Sequence, residues 1–324
     1  MSKIIGYFES TVNFRKKTFQ FSDEAIGKVI PFKFKNMNYQ IHFPKFESNH
    51  SSIRENFEVT RANTKIGLNW IEGNKRNNSS DYGYAHAFRD NRVIRFSASS
   101  LIIRSSKPID SSQALKSKEN LSTWRDLISS WIEVLHFHDL EVKNLFVEQD
   151  RLIEAYIIST GKKKIVTRIK KRNEVSSTIH VSSSSHIELK VFRRALRKAE
   201  EGIFPPSYYT MMISGLKHLN KKMYRQAIFD VSTAAEMALT ELLDRKLSSI
   251  NPINKKSILS DTQQLNNLVR ALRTTGEIIS QDLQGKIGTP RNKAIHEGME
   301  ISEQQAREAI STARTFIESK LSIK

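Results

Sequence analysis

The chain has 324 residues and a formal charge of +18, with 52 Lys and Arg against 34 Asp and Glu. That length suits two domains better than one, and 38% hydrophobic with 27% charged residues excludes wholesale disorder and fibrous architectures. The lack of cysteine removes disulfides, thiolate metal sites and cysteine nucleophiles. No apolar run approaches the roughly 20 residues of a membrane span, and the opening MSKIIGYFES has no apolar signal core. A cytoplasmic protein with no membrane partner is therefore expected. The pI near 9.9 attracts polyanions, nucleic acid first.

In chain order, IPFKFKNMNYQIHF alternates Phe32 and Phe34 with lysines, then Tyr39, Ile41 and Phe43 with polar residues, across an Asn-containing turn. That pattern predicts a β-hairpin. Further strands are predicted at Lys65–Ile71 and Arg92–Arg104, separated by the polar loop GNKRNNSSDYG. The period then changes. Trp124, Leu127, Ile128, Trp131 and Leu135 predict an amphipathic helix over Ser122–Leu140, with Ser122 as its cap.

A second hairpin is predicted from RLIEAYIIST and KKKIVTRIKKR around a Ser-Thr-Gly turn, followed by a turn at the serine run 182–185 and a basic helix, ELKVFRRALRKAEEG. Seven cations, Lys162, Lys163, Lys164, Arg168, Lys170, Lys171 and Arg172, occupy the outgoing strand with no acid among them. Such a run is commonly a solvated face. Strand alternation would spread it along a surface that binds an RNA phosphate backbone, with Arg193, Arg194, Arg197 and Lys198 extending the patch and Lys293 adding a cation further on.

From Ser207 onward the apolar spacing is helical throughout. Tyr209, Met212, Ile213, Leu216 and Leu219 form one stripe, and Ala227 to Leu243 a longer one. These two helices are expected to pack antiparallel. A third runs through Leu265, Leu268, Val269 and Leu272, and a last one opens with a capping box at Ser302 and Gln305. The fold class expected is α+β in two domains: a mainly antiparallel β domain with a helix over 1–204, then an all-α bundle over 205–324.

Between the third and last helices lies GTPRNKAIHEGMEIS, where Thr289 can cap a short helix and Pro290 fits its first position. Arg291 would then sit in the first turn, beside free N–H groups that favour an anion. His296 follows about one and a half turns later, just before Gly298, which would end the helix. Arg and His so placed suit metal-independent RNA cleavage, which needs a base for the 2′-OH, an acid for the 5′-oxygen and a cation for the phosphorane. One histidine does not serve as both, whereas a two-fold homodimer would supply two.

Residues 205–324 resemble the HEPN superfamily. The resemblance rests on the Ala-rich YRQAIFDVSTAAEMALTELL with a Glu at its middle, on RNKAIHEG, and on the closing SEQQAREAISTARTFIESKL. It implies a dimeric RNA-directed site, common among toxins and phage-defence effectors, with Arg291 and His296 catalytic, Asn292 positioning and Glu236 an inner polar partner. No tyrosine follows His296 closely, unlike HEPN toxins paired with nucleotidyltransferases. The partners expected are RNA, a second copy of the chain through this bundle, and an antitoxin or a phage-derived trigger. Catalytically inactive relatives of that superfamily serve as dimerisation, nucleic-acid or nucleotide-binding modules, which is the competing expectation. His136 and His138 lack a third ligand at suitable spacing, so no metal and no cofactor is expected.

Overall fold

A computed structural model describes residues 5–14, 19–43, 60–61, 83–89, 92–98, 100–136, 155–159, 162–165, 186–262 and 264–323. The architecture is α+β. Contacts divide the chain into two compact units that meet in sequence between Phe204 and Pro205.

The first unit holds strands β1 (Ile5–Asn13), β2 (Phe19–Ser22), β3 (Val29–Phe34), β4 (Met37–His42), β5 (Thr60–Arg61), β6 (Gly83–Arg89), β7 (Arg92–Ala98), β8 (Ser100–Ser105), β9 (Ile109–Asp110), β10 (Ala155–Ser159) and β11 (Lys162–Ile165), with helices α1 (Ser111–His136) and α2 (Leu189–Glu200). One antiparallel sheet runs β11-β10-β1-β8-β4-β3, with β9 also beside β1, and a second runs β2-β7-β6-β5.

The β3–β4 hairpin forms as its alternation predicts: Ile30, Phe32 and Phe34 are buried while Val29, Pro31 and Lys33 are exposed. Lys35 and Asn36 both take left-handed φ, 45° and 65°, the backbone of a two-residue type I′ turn whose twist matches the strands. Phe32 stacks on Trp124 of α1 with centroids 4.8 Å apart. A second aromatic cluster gathers Phe21, Phe43, Phe96 and Phe192, with Phe21 5.0 Å from Phe43 and 5.5 Å from each of the other two. Edge-to-face packing at these separations fills the volume over a sheet with few side chains.

Three expectations for this unit change. Helix α1 begins eleven residues before Ser122, because Asp110 and Gln113 make a reciprocal cap: the Asp110 carboxylate accepts the Gln113 N–H at 2.9 Å and the Gln113 side chain accepts the Asp110 N–H at 3.1 Å. Its first turns are polar and give little helical periodicity. The run Arg92–Arg104 is two strands, since β7 and β8 belong to different sheets. The second hairpin forms as β10 and β11, but residues 166–185 lie outside the described set, as do Lys65–Ile71.

The second unit is all helical: α3 (Ser207–Asn220), α4 (Tyr224–Lys246), α5 (Pro252–Asp261), α6 (Leu265–Thr274), a π-helical turn (Leu283–Gly288), α7 (Thr289–His296) and α8 (Glu303–Lys320). Helices α3 and α4 run antiparallel, with Gly215 opposite Val231 and His218 opposite Asp230. A Cβ on Gly215 would lie 2.6 Å from Val231 Cγ2, so glycine permits this close approach. The predicted capping box of α8 is present, with the Ser302 hydroxyl accepting the Gln305 N–H at 3.2 Å. Helix α5 was not foreseen, because it buries none of its residues and presents no apolar stripe. Its start is set by Asn251, whose side chain accepts the Ile253 N–H at 2.9 Å. Among the described residues, no helix is long and apolar enough to cross a membrane.

Candidate active site

The π-helical turn decides how the Arg-His segment is presented. Gly288 and Thr289 are both helical, neither caps with a side chain, and the Thr289 N–H donates to the Gln284 carbonyl five residues back. Helix α7 therefore continues a preceding turn and does not start at Thr289. The expected free N–H groups beside Arg291 are replaced by an uninterrupted helix. The wider π turn also suits Pro290, which lacks an N–H and would clash in a regular α-turn. The other end is as expected: Gly298 takes φ +66° and the Met299 N–H returns to the Lys293 carbonyl at 3.3 Å.

Arg291 is half-buried, and its Nη1 donates to the Asn292 side-chain oxygen at 3.1 Å. Across from it, Glu236 projects from the middle of α4. Burial pushes the Glu236 carboxyl above the usual carboxylate range; the Arg291 charge and a hydrogen bond from the Leu265 backbone N–H act the other way. That hydrogen bond matters structurally, since α6 begins at Leu265 and Gln264 supplies no side-chain cap. Glu236 thus caps α6 from another helix while it faces Arg291, tying α4, α6 and α7 together.

His296 is exposed in the last turn of α7, and Lys293 is exposed one turn earlier. Ala294 between them is fully buried, which anchors the turn. Arg291, Asn292 and Glu236 are brought together. Lys162, Lys163 and Lys164 lie in β11 of the first unit, paired in register with Ser159, Ile158 and Ile157. Arg168, Lys170, Lys171 and Arg172 lie outside the described residues.

Two features of this unit escaped the sequence. Arg225, in the first turn of α4, donates from Nη2 to the Ala294 carbonyl at 2.9 Å while its guanidinium sits 5.6 Å from the Phe229 ring centroid. The signal was the Arg225–Phe229 spacing of four, which puts both side chains on one helical face. His218 Nδ1 lies 2.8 Å from the Asp230 carboxylate, both partly buried between α3 and α4. Among the described residues, no three His, Asp or Glu side chains are grouped to hold a metal ion.

No family model matches the chain, and no curated protein or solved structure matches it at a significant level.

Proposed function

We propose that the chain is a metal-independent endoribonuclease of the HEPN type, a toxin or phage-defence effector acting in the cytoplasm as a homodimer through its helical unit. The observation that carries this reading is the convergence of α4 and α7: Glu236 and Arg291 interact inside, while His296 stands exposed on the same short helix. A buried carboxyl beside an arginine orients the guanidinium without removing its charge, and an exposed imidazole can exchange protons with substrate near neutral pH.

In this mechanism His296 takes the proton of an RNA 2′-OH, and the 2′-oxygen attacks the adjacent phosphorus. The bond from phosphorus to the 5′-oxygen breaks as the second subunit's copy of the same histidine donates a proton to it. Arg291 holds the extra negative charge on the phosphorane, with Asn292 fixing its side chain. The products are a 2′,3′-cyclic phosphate and a 5′-hydroxyl. Lys293 and the β11 lysines hold the RNA backbone, and the first unit receives the signal from an antitoxin or a phage-derived trigger.

The test is incubation of the purified full chain with total RNA in EDTA, beside Arg291→Ala and His296→Ala. Loss of cleavage by about a hundredfold or more in both variants, with cyclic-phosphate ends from the wild type, is the expected result. Intact RNA throughout, with salt-sensitive binding retained, would instead identify a binding module.

A further inference from the structure

We infer that Arg225 is the positioning residue for His296, a role that rests on the nuclease reading above. Helix α7 has eight residues, so the carbonyls of its last turn have no intrahelical donors and would otherwise face solvent. Two of them are fastened from outside. The Lys293 carbonyl accepts the Glu297 N–H at 3.0 Å and the Met299 N–H at 3.3 Å from the Gly298 turn, and the Ala294 carbonyl accepts Arg225 Nη2 at 2.9 Å. His296 follows directly, two residues after Ala294.

Arg225 is itself held. Its guanidinium lies against the Phe229 ring one turn along α4, so the planar donor fork is aimed before it meets the carbonyl. A cation at a helix C-terminus is also favoured by the dipole. Helix α4 consequently grips α7 twice, through Glu236 at the Arg291 end and through Arg225 at the His296 end. Without Arg225 the last turn of α7 loses its link to α4, and the imidazole samples more orientations. The bond is to main chain, so the effect falls on turnover and not on RNA affinity.

Arg225→Ala and Arg225→Lys are compared with wild type in the full chain on a labelled mixed-sequence RNA, with kcat and KM measured from acid to alkaline pH. Backbone amide exchange of residues 295–299 and the NMR titration of His296 are followed in parallel. Expected for Arg225→Ala are a fall in kcat of about tenfold or more, KM within about twofold, and amide exchange in that turn faster by about tenfold, with the Leu265 amide unchanged. Lysine, which keeps a cationic donor, restores most of kcat. Unchanged exchange, or a raised KM with kcat kept and a shallower salt dependence, overturns the proposal and makes Arg225 a phosphate contact. Should the wild type cleave nothing, the nuclease reading fails, while exchange and the His296 titration still decide whether Arg225 holds that turn.

Discussion

The two units solve the packing problem with opposite materials. The first fills the space over its sheets with rings, Phe8, Phe19, Phe21, Phe32, Phe96, Phe192 and Trp124 all being fully or almost fully buried. The second is lined with Ala227, Ala234, Ala235, Ala238, Ala294, Ala306, Ala309 and Ala313 between leucines and isoleucines. Layers about 10 Å apart need large side chains to interlock, whereas small residues let helix axes approach closely. Close approach is what lets long side chains from α4 reach α7 at both ends. The difference teaches that the candidate site depends on small residues nearby as much as on the polar ones within it.

The comparison is broken most severely at Phe21, which touches three other rings. Phe21→Ala is expected to cost about 3–5 kcal/mol, because the cavity cannot close without moving several aromatic neighbours. Urea unfolding followed by indole fluorescence measures it, since Trp70, Trp124 and Trp131 all precede Phe204 and report the first unit. A loss below about 1 kcal/mol would mean that the cluster relaxes freely. In the helical unit the matching experiment adds volume. Gly215→Ala places a methyl against Val231, whose branched side chain turns with difficulty, and against the Ala227 carbonyl at 3.3 Å. About 1–3 kcal/mol should be lost, read from the helical circular dichroism transition.

The smallest effect sharpens the electrostatics. With its carboxyl held above the usual range, native Glu236 binds a proton more readily than the unfolded chain, so its contribution to stability falls as pH rises through that range. Glu236→Gln removes this dependence. The variant should gain on the wild type between mildly acid and neutral pH, by less than a full pH-unit shift would imply because the group is half-exposed. Parallel stability curves for the two proteins across that interval would remove burial as the dominant influence on Glu236.

Much of the helical unit was legible because amphipathic stripes announce themselves, and the α8 capping box followed from Ser302 and Gln305 alone. Helix α5 left no trace because nothing in it is buried. The start of α1 was hidden in polar turns whose cap, Asp110 with Gln113, carries no apolar signal. In the candidate site, the segment from Arg291 to His296 could be read from residue types, and Glu236 stood out as an acid among alanines. The Arg225 link could not, since it joins residues 69 apart through a carbonyl, and carbonyls have no letter in a sequence.

The π-helical turn before α7 contains one residue more than an α-helix would use to cover the same rise. Each residue turns a helix by about 100°, so that insertion sets the angular heading of everything after it. Deleting Gly285, whose surroundings are open, would restore plain α-helical winding and swing Arg291 and His296 together by about that angle around the helix axis. The spacing between them would survive unchanged, and both would aim at the wrong neighbours. Phase, as well as identity and spacing, is therefore part of what this segment encodes.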